Sequence, residues 1–350
     1  MVLCAALIAT RSPLGAQDSE PLLIEPVIPQ ASELLPLDES DYLRSASETG
    51  FWFLNTHHSP QSFDAPGPRF CPGVSRFECG RGFQPSGFQT LRDSLEPGVP
   101  VCIMVHGSFV DTPSFCRESQ QTWHWLESAS HGQPMQMIYF HWPSYRMLTP
   151  LVAFDVNILG RRAARNGYYL AELIQHLPPE SPVCLIGHSH GTRVIASCLH
   201  LLAGGAVQGV CHPYARVNGR SIRTVFTGSA IDHHWLNPGQ RYDRALCSTE
   251  CLLNMTNCKD PALWTYPFRL PLLVRPALGK TGLTAGDRRR LGPMGNRVYD
   301  YDVSQAIGAS HLWPYYFQQP GLAMAIRNYV YFPDRISQLT IVEDSQHSLR

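Results

Sequence analysis

The sequence lacks any apolar run approaching the roughly 20 residues that a membrane-spanning helix needs, and it lacks an excess of charge of either sign. The first absence argues against an integral membrane segment. The second, 28 basic residues against 28 acidic ones, removes the electrostatic footprint that nucleic acid or an anionic membrane surface would require. No nucleic-acid partner is therefore expected. Charge is scarce overall, with 16% charged residues against 44% apolar, which is the balance of a globular chain able to bury a large core at 350 residues. No internal repeat or low-complexity tract is present.

Metal-binding spacing is also missing. No H-E-x-x-H pattern occurs, and His57, His58, His188, His190, His233 and His234 come as neighbours or near neighbours whose side chains point in different directions. Cys247 and Cys251 lack a second C-x-x-C pair, so neither a catalytic metal nor a structural zinc is assigned, and no cofactor is expected. Of the eleven cysteines, Cys102, Cys184 and Cys198 sit in apolar runs and read as small buried side chains. Cys71 with Cys79, or a pair among Cys247, Cys251 and Cys258, could bridge in an oxidising compartment.

The N-terminus admits two readings. VLCAALIAT followed by SPLGAQ has the apolar run and small residues of an export signal over residues 1–17, but no basic start, so a frayed apolar terminus fits equally. The first reading places the protein in the periplasm or outside the cell, the second in the cytoplasm. Residues 18–48 read as a linker, 49–335 as an α/β domain with insertions near 60–98 and 264–293, and 336–350 as a polar tail.

Apolar runs alternate with helical patterns through the domain. VPVCIMVHG (99–107) and QMIYFHWPS (136–144) have the continuous apolar form of strands buried on both faces, with a crossover helix between them at 113–129. Ala163, Gly167, Leu170, Ile174 and Leu177 share one face of a long helix that Pro178 stops. VCLIG, IRTVFTGSAID, ECLLNMTN and NRVYDYDVS supply further strands, and GFWFLNTHH a first one. TRVIASCLHLL and GLAMAIRNYVYF supply helices. The expected class is α/β, with a mostly parallel central sheet covered by helices on both faces.

Gly187-His188-Ser189-His190-Gly191 then stands out, because G-x-S-x-G here follows an apolar strand and precedes an amphipathic helix. In that setting the glycines permit a sharp turn that presents the Ser189 hydroxyl above the sheet, over the positive end of the next helix. The same serine could also serve only as a helix cap. As a nucleophile it would need a histidine base and a carboxylate, which in this arrangement follow it in the chain. His311, in GASHLWPYYF after the last strand, is the candidate base. Asp260, after ECLLNMTN, is the candidate acid, with Asp232 the main alternative and Asp243 also considered. Backbone N–H groups of His190 and Ser108 are the candidate oxyanion donors, since Gly107 would let the chain approach a substrate oxygen.

The HG turn, the strand ending in HWPS, the long helix preceded by Asp155, the elbow, the Asp260 segment and the GASH loop together resemble a group of poorly characterised bacterial α/β-hydrolases. That group is marked by a W-P-S segment ahead of an H-S-x-G elbow. The resemblance covers roughly residues 100–330 and implies the α/β-hydrolase fold and a triad of Ser189, Asp260 and His311. Relatives often carry methionine where this chain has His190, a position whose backbone N–H alone is required. No settled substrate comes with the resemblance.

The expected function is a serine esterase-type hydrolase acting on a small carboxylic ester or related acyl compound through an acyl-enzyme. Acyl transfer shares that intermediate, and a catalytically silent fold used as a binding or envelope protein is the alternative of a different kind. Trp264 to Pro293, rich in aromatics and prolines, is expected to border the mouth of the site, with Arg288 to Arg290 on a solvated surface.

Overall fold

The computed structural model describes residues 50–61, 67–145, 152–213, 219–269 and 275–335. The N-terminal segment with Cys4, the linker, the tail with His347 and the side chain of Asp155 lie outside the described residues.

Among the described residues nine strands form one sheet in the order β11-β10-β9-β6-β4-β5-β1-β2-β3. The strands are β1 (Trp52–Asn55), β2 (Gly73–Glu78), β3 (Gly82–Ser86), β4 (Val101–Val105), β5 (Gln136–His141) and β6 (Val183–His188). After a separate two-stranded ribbon of β7 (Ala206–Val207) and β8 (Val210–Cys211) come β9 (Ile222–Thr227), β10 (Cys251–Thr256) and β11 (Val298–Asp302). Every pairing from β11 through β1 is parallel. The cysteine-containing insertion adds the two antiparallel edge strands β2 and β3 and a short helix, α1 (Phe88–Ser94).

Helices cover both faces, and the strand side chains divide between them with period 2. In β4, Val101, Ile103 and Val105 join the core beneath α3 (Val152–Gln175) and α4 (His190–Leu202). Cys102 and Met104 face the other way, toward α2 (Thr112–Glu127) and the helix Pro320–Tyr331. A run that is apolar at every position is therefore what a strand sandwiched between helices requires. The α3 stripe crosses α4 closely at Gly167, where a Cβ would fall 2.6 Å from Ser197 Cβ.

All ten described cysteines are free thiols; Cys251 is buried within β10, which removes it from any loop bridge. Among the described residues no helix is long and apolar enough to cross a membrane.

Candidate active site

Parallel strands send all their carboxyl ends to one edge of the sheet, so the loops after β4, β5, β6, β9, β10 and β11 converge there. Ser189 leaves β6 at that edge with φ 51° and ψ −122°, a conformation that costs a non-glycine residue on the order of 1–3 kcal/mol. Its flanking glycines make the turn sterically possible. A Cβ on Gly191 would land on the Val105 carbonyl oxygen, and one on Gly187 would come within 2.9 Å of Thr192 N. Gly191→Ala must lift α4 off β4, and we expect a loss of about 1–3 kcal/mol in urea unfolding. An unchanged midpoint would contradict this packing.

The His311 ring joins the serine to a carboxylate. Ser189 Oγ–H donates to His311 Nε2 at 2.9 Å, and His311 Nδ1–H donates to Asp260 Oδ2 at 2.6 Å. Asp260 is fully buried and doubly held, because its Oδ1 caps the helix Pro261–Thr265 by accepting from Ala262 N (2.9 Å) and Leu263 N (3.1 Å). The cap leaves the second oxygen aimed at the imidazole. Asp232 is committed elsewhere: its Oδ1 accepts from Tyr266 Oη at 2.8 Å, and its backbone pairs with Ala277.

Ser108 and His190 lie side by side, with Ser108 Oγ and His190 Nδ1 2.7 Å apart. Gly107 is pressed against the serine, since a Cβ there would fall 2.9 Å from Ser189 Cβ. The next residue, Phe109, takes a positive φ of 65° and spends its N–H on the Ser144 carbonyl. Among the described residues no backbone acceptor takes the Ser108 N–H.

A buried histidine pair, which no pattern in the sequence marks, supports this loop from below. His106 Nδ1–H donates to the Gly107 carbonyl at 2.7 Å, which leaves Nε2 to accept from His141 Nδ1–H (2.8 Å) and Trp142 N–H (3.2 Å). Both rings are thereby held neutral in the Nδ1–H tautomer. Burial pushes His106 down to about 3, and burial together with His106 pushes His141 down to about 2. His188, beneath His311, is also held well below the usual range by burial.

This pair makes stability depend on pH. In the unfolded chain each histidine binds a proton as the pH falls through its usual 6.5, whereas the folded protein refuses it until about 3 or 2. Stability is therefore greatest above 6.5 and falls on acidification, by about 1.4 kcal/mol per pH unit for each ring. Urea unfolding should show the protein more stable at pH 7.5 than at pH 5.0, by about 3–4 kcal/mol from these two rings, with His188 adding in the same direction. A flat profile would mean that the rings are not held neutral.

Part of the Trp264 to Pro293 segment borders the site. Leu278 N donates to Ile231 O (2.7 Å) and Gly279 N to Ser229 O (3.1 Å), just beyond the carboxyl end of β9. At Gly228 a Cβ would lie 3.2 Å from His311 Cε1. Residues 270–274 lie outside the described residues. Arg289 and Arg290 are exposed, whereas Arg288 pairs with Asp300 at 2.7 Å and so departs from a purely solvated role. Among the described residues the exposed large apolar side chains are Phe109, Tyr145, Trp264, Leu312 and Tyr315, and all lie in the connections that follow β4, β5, β10 and β11, with Trp264 and Tyr315 on short helices there. Among the described residues no three His, Cys, Asp or Glu side chains gather as metal ligands would.

Compared with known proteins, the chain matches no protein-family profile and no curated protein.

Proposed function

We propose that this protein is a serine hydrolase of the α/β-hydrolase type that cleaves a carboxylic ester or related acyl compound through an acyl-enzyme. The observation that carries the reading is the hydrogen-bonded series from Ser189 through His311 to Asp260, built on a strained strand-to-helix turn. A serine hydroxyl needs a base to become nucleophilic at neutral pH. His311 Nε2 is placed to take that proton as Ser189 Oγ attacks the acyl carbon, and Asp260 to stabilise the imidazolium that results.

The negative charge that develops on the carbonyl oxygen would be met by the His190 and Ser108 N–H groups at the start of α4 and the end of β4. His311 then returns its proton to the leaving alcohol, and water repeats the sequence on the acyl-enzyme. The exposed apolar side chains of the connections that follow β4, β5, β10 and β11 suit the hydrocarbon part of an acyl substrate.

A fluorophosphonate probe tests this reading, since it reacts only with an activated serine. Labelling of the wild type and loss of labelling in Ser189→Ala are expected. Absent labelling of the folded wild type, or equal labelling of the variant, would overturn the proposal.

A further inference from the structure

One charged side chain close to the site has no charge partner. Arg193 lies one turn beyond Ser189 on α4 and is only 6% exposed, yet among the described residues it meets no carboxylate and makes no hydrogen bond; its Nε is buried without an acceptor. Buried arginines are ordinarily paired, because removing an uncompensated charge from water is costly. Its one described partner is the face of Trp235, 4.9 Å from the guanidinium carbon.

Side chains of a helix lean toward its N-terminus, which here is the active-site end. Arg193 follows that lean. A Cβ on Gly160 of α3 would land on Arg193 Nη1 and lie 3.7 Å from His190 Nε2, so the guanidinium comes up beside the His190 ring. That ring in turn bonds Ser108 at the candidate oxyanion position. A second cation is near: Arg241 covers Trp235 as well, 4.4 Å from its ring, and Arg193 is near enough to depress the Arg241 pKa further than burial already does. Asp232 acts on Arg241 in the opposite sense, so the negative charge of that carboxylate, whose Oδ1 accepts from Tyr266, offsets Arg241 rather than Arg193.

We propose that Arg193 is the recognition site for an anionic group, a carboxylate or phosphate, carried by the substrate. The planar guanidinium offers paired N–H donors that match such a group, and stacking on Trp235 holds the plane in place before the substrate arrives. The preferred substrate is then an ester with an apolar body and a negatively charged end, a narrower class than esters in general. This specificity rests on the hydrolase reading, whereas the capture of an anion does not.

Two measurements separate the claims. In Ser189→Ala, succinate binding followed by calorimetry should be detectable and should be lost when Arg193→Met is added, with Arg193→Lys retaining part of it. Absence of succinate binding, or binding indifferent to Arg193→Met, would overturn the anion site whether or not the protein is a hydrolase.

The second compares p-nitrophenyl butyrate with mono-p-nitrophenyl succinate, which differ at the far end of the acyl chain. Wild type should favour the succinate by kcat/KM, and Arg193→Met should lower the succinate-to-butyrate ratio by roughly 10- to 100-fold. Because a ratio is read, a general loss of activity in the variant does not imitate the effect. Ser189-dependent hydrolysis with an unchanged ratio would sink the role of Arg193 alone. No Ser189-dependent hydrolysis of either ester would count against the hydrolase, and succinate binding would then decide the anion site by itself.

Discussion

If the proposed reading holds, Ser189→Ala is expected to lower turnover of a carboxylic ester by about six orders of magnitude, on the scale seen when the nucleophile of a serine protease is removed. The fold should stay intact. Ser189 Oγ makes one described side-chain bond, to His311, while the turn is held by backbone bonds from Ser189 N to Thr227 O and from Thr192 N to Ser189 O. Alanine keeps all of the latter. The thermal midpoint is therefore expected within a few degrees of wild type, and what activity remains comes from the oxyanion donors and from substrate binding. A variant that retains more than about a hundredth of wild-type turnover would exclude Ser189 as the nucleophile.

Asp260→Asn should reduce turnover about 10⁴-fold, by analogy with the corresponding change in serine proteases. The reason lies in which atom faces the imidazole. Asn can still cap the helix Pro261–Thr265 by turning its carbonyl oxygen toward Ala262 N and Leu263 N, the two donors that Asp260 Oδ1 now serves. Its amide nitrogen then confronts His311 Nδ1, where the carboxylate oxygen sat at 2.6 Å. A donor there forces Nδ1 to accept, which moves the ring proton to Nε2 and points it at Ser189. The base is blocked although the architecture survives. Asp232→Asn should leave turnover within about tenfold of wild type, because Asp232 serves Tyr266 rather than His311. A greater loss at Asp232 than at Asp260 would reverse the assignment.

The linear sequence carried the class of the fold and the position of the elbow because both are written in local pattern. Strands such as β4 and β6 are short apolar runs, and α3 repeats its apolar face every three to four residues, so each element is visible within a window of its own length. The turn at Ser189 was legible for a related reason. Gly187 and Gly191 are dictated by contacts with Thr192 and with Val105, and no other residue type tolerates that closeness.

What lay beyond the sequence depends on distance across the sheet. Asp232 and Asp260 both follow strands, and only the packing of the loops shows that the helix cap turns Asp260 toward His311 while Tyr266 claims Asp232. The neutral pair of His106 and His141 joins two strands 35 residues apart in the chain, so no spacing announced it. Arg193 gave the faintest local sign, the lone arginine of α4, with Thr192 on one side and Val194 on the other. Only the tertiary structure decided that this charge is buried against Trp235 rather than spread into solvent, because burial is set by what α3 and the loop after β9 lay over it, and those segments are remote in sequence.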